Sequence, residues 1–153
     1  MPIIEPTIDL GAARPKHRAV LAHWSELRQR RGALPRRRDL DACAFIACLG
    51  EMMLLKVLEH GADYRYDIVG ERLRDLFGVA YCRRTLREIG FPDHQILLQE
   101  YQTVVRSGEP LYLERRQISE RNFINVTVGK LILPLSEDGK EVSDLLVCLA
   151  TID

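Results

Sequence analysis

Glu51-Met-Met-Leu-Leu-Lys-Val-Leu-Glu59, then His60-Gly-Ala-Asp63, then Tyr64-Arg-Tyr-Asp-Ile-Val69 and Gly70 is the stretch that decides the fold. A nearly continuous apolar run meets a four-residue turn containing Gly61, and an alternating run follows. Alternation puts Tyr64, Tyr66 and Ile68 on one face of a half-buried strand. Two such runs around a short turn predict a β-hairpin. Gly70 then breaks the pattern. Residues 71–92 predict two short helical pieces, 71–77 and 84–89, punctuated by Gly78, Gly90 and Pro92. Asp93 is a candidate N-cap for a longer helix, His94 to Arg106. Its residues Ile96, Leu97, Tyr101, Val104 and Val105 follow helical spacing, and Ser107-Gly108 closes it.

Downstream the chain reads as β. Residues 110–118 form one run, 123–135 a longer one and 142–152 the last. In the middle run Ile124, Val126, Val128 and Lys130 share a face. Phe123, Asn125, Thr127, Gly129, Leu131 and Leu133 lie on the other. The Asp138-Gly139 step before the last run favours a tight hairpin. Upstream, Pro15 suits the first turn of a helix, and Val20, Leu21, Trp24 and Leu27 recur at helical spacing. Gly32 can end that helix, 32–38 is a connector, and Asp39 is expected to cap a second short helix, 40–48. The expected organisation is a flexible N-terminal arm (1–13), a basic amphipathic helix and connector (14–38), and a main domain (39–153).

With 153 residues, 46% hydrophobic and 29% charged, the chain is an ordinary globular length and composition for one domain. Its 22 basic and 22 acidic residues cancel, which argues against a surface that coats nucleic acid. The charge is unevenly placed: nine of the basic residues but only Glu26 among the acids fall in 14–38. That segment therefore carries +8 and the remainder −8. Its counter-surface is expected to be this protein's own body, ahead of a nucleic acid, a membrane or an acidic partner. No aromatic residues interleave with the arginines of 28–38 to stack bases. Cys43, Cys48 and Cys148 sit among apolar neighbours and read as small core hydrophobes, as does Cys82, although its neighbours Arg83 and Arg84 could lower a thiol pKa. No spacing of Cys or His suggests a metal site. An early apolar leader and a long apolar span are both missing, so a cytoplasmic protein, not an integral membrane one, is expected.

Two strands, a cluster of short helices and three strands is the order of the PAS domain. The chain resembles a bacterial, mostly α-proteobacterial, family of single PAS-like domains. The resemblance is carried by Trp24-Ser-Glu-Leu-Arg28 with Leu34-Pro-Arg-Arg-Arg-Asp-Leu-Asp41, by Asp63-Tyr-Arg-Tyr-Asp-Ile-Val-Gly70, and by Leu133-Pro-Leu-Ser136 with Asp138-Gly139. It covers about residues 20–150. Two departures stand out: Glu71 replaces a small hydroxyl residue, and Cys82-Arg83-Arg84 occupies a region where a further glycine is usual. The resemblance implies an α+β fold: a five-stranded antiparallel sheet with short helices on one face and an N-terminal amphipathic helix. It also implies a sensory or regulatory module that acts by protein association, often as a homodimer. With no kinase, cyclase or DNA-binding segment in the chain, output is expected to pass through another protein, such as a signalling protein.

The interior is expected between the middle helices and the sheet. Tyr66, Leu73, Phe77, Tyr81, Leu86, Leu98 and Tyr101 are the candidate pocket residues for a small-molecule ligand. Arg83 and Arg84 are candidate anion contacts. Val20, Leu21, Trp24 and Leu27 either pack on their own domain or pair with a second copy. A haem sensor would need an axial histidine facing the pocket. His94 comes nearest, and neither haem nor flavin is expected. There is no Gly-rich phosphate loop and no nucleophile elbow, so no catalytic residue is assigned. Two other readings remain open. One is a small-molecule-binding or isomerase-like α+β cone, which normally places its helices first. The other is a nucleic-acid-binding accessory protein using 14–38.

Overall fold

The alternating and apolar runs build one sheet. In the computed structural model, which describes residues 13–77, 82–119 and 124–152, the strands are β1 (Met52–Leu58), β2 (Asp63–Val69), β3 (Leu111–Ser119), β4 (Ile124–Leu135) and β5 (Asp144–Thr151). All pair antiparallel in the order β2-β1-β5-β4-β3. The two hairpins at either end of the sequence thus meet through β1 and β5. The helices are α1 (Pro15–Arg31), α2 (Glu71–Phe77), α3 (Leu86–Ile89) and α4 (His94–Ser107). The architecture is the expected α+β one. The arm expected at 1–13 lies outside the described residues apart from Ala13.

Each face of the sheet carries its own apolar cluster. The inner face packs Tyr64, Tyr66, Val128 and Ile132 against Leu97, Tyr101 and Val104 of α4, with Leu73 and Leu86 from the shorter helices. The outer face packs Leu131, Leu133, Leu146 and Cys148 against Val20 and Trp24 of α1. Period-two alternation makes this possible: Val128 turns inward while Leu131 and Leu133 turn outward, as the sequence pattern assigned them, and Ile132 lies inward with Val128. Helix α1 is fixed there by the Trp24 indole, whose Nε1 donates to the Pro134 carbonyl at 2.9 Å. Several basic residues of the helix and its N-cap are turned onto the body of the chain. Arg14 faces Glu114, Lys16 faces Glu51 and Arg28 faces Glu109. Arg31 donates to the carbonyls of Leu34 and Ser136.

Four local expectations change. Leu54 pairs with Ile68 but Leu55 pairs with Tyr66, so Asp67 is an extra residue in β2, a β-bulge. The bulge reverses the alternation. Tyr64 and Tyr66 stay inside while Ile68 turns to the outer face, 53% exposed. The segment expected as a helix over 40–48 is instead a run of 3₁₀ turns, Ala42–Glu51. Asp41, not Asp39, caps it by accepting from the Cys43 N–H, because Asp39 is held by Arg36. The helix expected over 84–89 begins at Leu86. Residues Arg83 and Arg84 bond the backbone of β2 instead. Asp93 precedes α4 without capping it; its carboxylate faces Arg115.

Gly70 closes the first hairpin because nothing larger fits. A Cβ there would stand 2.3 Å from the Gly50 carbonyl oxygen. The close passage lets the Gly70 N–H donate to the Met52 carbonyl at 2.8 Å.

Candidate functional site

Helix α4 lays Leu97, Glu100, Tyr101 and Val104 on the inner face of the sheet, a spacing of three, four and seven that makes one helical stripe. Glu100 is 5% exposed. A carboxylate so placed must be paired or stay protonated. Two cations meet it from the sheet. Arg115 of β3 donates Nε to Oε2 at 2.7 Å and Nη2 to Oε1 at 3.1 Å, a two-pronged pairing. Lys130 of β4 donates Nζ to Oε1 at 2.9 Å. Arg115 opposes Val128 in the register and Leu113 opposes Lys130. The two cations are therefore diagonal neighbours on one face.

The chain of contacts continues in both directions. Arg115 Nη1 reaches the Asp93 carboxylate at 3.3 Å. Lys130 Nζ also donates to the Tyr101 hydroxyl at 3.4 Å and lies 4.6 Å above the Tyr101 ring. The Tyr101 hydroxyl in turn stands 3.2 Å from that of Tyr66 in β2. One connected polar line thus runs from β2 through α4 to β4 and β3. Its two cations and two carboxylates cancel.

Electrostatics fix the protonation states. Burial pushes the Glu100 carboxyl up, but Lys130 and Arg115 outweigh it and hold the group below the usual carboxylate range. Burial pushes both the Tyr66 and Tyr101 hydroxyls well above their ordinary value, so both stay neutral. Tyr64, beside them, is pushed up to about 12 by burial, and its hydroxyl has no partner among the described residues. The arrangement has no activated nucleophile. It is a set of donors and acceptors whose pairing depends on how α4 sits on the sheet.

Of the residues proposed from sequence, Tyr66, Leu73, Leu86 and Tyr101 are brought together in the inner cluster, with Leu98 half-buried at its edge. The Phe77 side chain and all of Tyr81 lie outside the described residues. Arg83 and Arg84 are exposed and lie along the edge of β2, away from the interior: the Arg83 N–H donates to the Tyr66 carbonyl, and the Arg84 carbonyl accepts from the Tyr66 N–H. Val20 and Trp24 are buried on the chain's own sheet, with Leu21 and Leu27 half-buried. His94 stands at the first turn of α4, half-buried. Glu100, Arg115 and Lys130 were missed. The signal was a charged residue at an apolar period: Lys130 between Val128 and Ile132, Arg115 after Leu111 and Leu113, and Glu100 within the stripe of α4.

A sequence profile of the PAS domain matches residues 13–150. The chain belongs to the PAS-domain family. No curated protein matches the sequence. Solved structures share the fold at low identity. A light-oxygen-voltage domain superposes with a TM-score of 0.55 at 13% identity, covering 72% of this chain and 83% of that one. The PAS domain of Bordetella pertussis BvgS gives 0.53 at 16% identity, covering 74% and 88%. The PAS domain of the fruit-fly ELK potassium channel gives 0.53 at 14% identity, covering 76% and 97%. Among the described residues of this PAS domain, no cluster of three His, Cys, Asp or Glu could hold a metal, and no helix is long and apolar enough to cross a membrane.

Proposed function

We propose that this PAS domain is a sensory and regulatory module. It acts by associating with itself or with another protein, and it catalyses no reaction of its own. The observation that carries the reading is the buried polar line from Tyr66 through Tyr101, Lys130 and Glu100 to Arg115. A polar small molecule entering beneath the helices must exchange some of these contacts. That exchange favours a different seating of α4, and the population of the two seatings is the signal. The reading includes no haem and no flavin. Basic residues of α1 already turned onto the chain's own carboxylates speak against nucleic acid, and helices inserted between the second and third strands speak against a cone-shaped isomerase.

The test is a native mass spectrum of protein purified from its own host, joined to light scattering at rising concentration. A bound small molecule, a dimer or a complex with another protein is expected. A bare monomer in both measurements overturns the proposal.

A further inference from the structure

Among the described residues, the two large apolar side chains left exposed are Leu49, at 44%, and Ile68, at 53%. They line the same groove, about 270 Å³ in volume, on the outer side of the sheet beside β1 and β2. Leu40, Phe45, Leu54, Leu146 and Arg37 line it with them. Exposed apolar residues scattered singly are ordinary, but these two share one concave apolar surface with Phe45, Leu54 and Leu146.

Arg37 belongs to a second depression as well, shared with Arg65, Asp67 and Arg83. Asp67 is the carboxylate of this set. It takes Arg37 at 2.8 Å and Arg65 at 2.6 Å. Three guanidinium groups against one carboxylate leave a formal charge of +2. Arg83 contributes the part no acid neutralises: no ion pair to it occurs among the described residues. Its backbone is left-handed, φ 66°, and is pinned by its N–H donating to the Tyr66 carbonyl. The cationic depression and the apolar groove are joined at Arg37, and also at the chain step from Asp67 to Ile68.

We propose that this composite surface docks an acidic segment of another protein, with an apolar side chain seated in the groove and carboxylates set against Arg65 and Arg83. This rests on the reading of the domain as one that works by association, and it names the partner's chemistry. Charge complementarity selects an acidic partner. Concavity selects a polypeptide over a membrane: a side chain can enter a recessed groove, and a flat lipid surface cannot. A second copy of this chain would bring an equally cationic surface to a self-matching contact, and like charges would oppose it.

A photo-crosslinking residue placed at Ile68 in the full chain, expressed in its own host, tests this. The expected adduct is with a segment of a different protein that carries carboxylates next to an apolar residue, identified by peptide mass spectrometry. Arg83→Asn, which suits the left-handed backbone, and Leu49→Ser should each lower the adduct yield about tenfold while the melting temperature is kept. Adducts to lipid, to a second copy, to the chain's own first twelve residues or to a neutral or basic segment overturn the proposal, as does a yield indifferent to both substitutions. Size exclusion of the host extract separates the two levels. A complex that persists in both variants overturns this docking site and leaves association standing. Migration as the bare chain, with no adduct, overturns both.

Discussion

Glu100 is the residue on which the interior depends. Removing its charge leaves Lys130 with no carboxylate and Arg115 with Asp93 alone, in a site where Arg115 is 4% and Lys130 1% exposed, whereas removing Lys130 leaves Glu100 with Arg115. Glu100→Gln is therefore expected to lower the unfolding free energy by about 3 kcal/mol, and Lys130→Met by about 1, in denaturant titrations. The pH dependence follows from the same pairing. Glu100 titrates below its ordinary 4.5 in the folded chain. Its contribution is complete above that value and is lost as pH falls through the folded pKa. Glu100→Gln should flatten this acid limb. His17 shifts the other way in charge: burial keeps the imidazole neutral below its ordinary 6.5, while Nε2 lies 3.1 Å from the Gly129 carbonyl. A base with a depressed folded pKa leaves the unfolded chain to take the proton first. Stability from His17 is thus full above 6.5 and declines below it. His17→Gln should remove the part of the decline that begins as pH falls below 6.5 and leave the lower limb that Glu100 causes.

At the scale of elements, the first hairpin and the 3₁₀ run depend on one glycine. An added Cβ at Gly70 meets backbone atoms of Gly50 and Leu49, which cannot swing aside as a side chain can. Gly90, at the end of α3, has a left-handed φ of 66° but open space around it. Gly70→Ala should cost about 3 kcal/mol or more and Gly90→Ala about 1, compared by thermal unfolding. Equal losses would show that 49–50 moves freely away from β2. Gly70 was legible in the sequence as the end of a strand, because a break in alternation is a local signal. The bulge at Asp67 was not: the sequence of β2 alternates without interruption, and only the register against β1 shows the extra residue. The 3₁₀ run was read as α-helix because its apolar residues suit either winding. The ion pairs of Glu100 were hidden for a different reason. Each member is a single charge in an apolar pattern, and what makes them a unit is the meeting of α4, β3 and β4, which are separated in the chain.

For the whole molecule, the sheet divides two apolar cores, and α1 is what seals the outer one. The +8 segment was read from sequence as a face in want of a counter-charge, and much of that counter-charge is the molecule itself, at Glu114, Glu51 and Glu109. The amphipathic stripe of Val20 and Trp24 is likewise spent inside the chain, over Leu131, Leu133 and Cys148. This arrangement makes the helix a structural lid whose loss has two linked consequences. Trp24→Ala empties the largest side chain in the outer core and removes the donor to the Pro134 carbonyl. It should cost about 3–5 kcal/mol and shift the melting temperature accordingly. It should also loosen α1 enough to bare the apolar outer face, so that light scattering reports an increase in mass, not a decrease. A helix that instead paired two copies would respond in the opposite sense: Trp24→Ala would dissociate a dimer and leave the fold of each chain nearly as stable as before. The sign of the mass change, measured beside the melting temperature on the same sample, decides between the two.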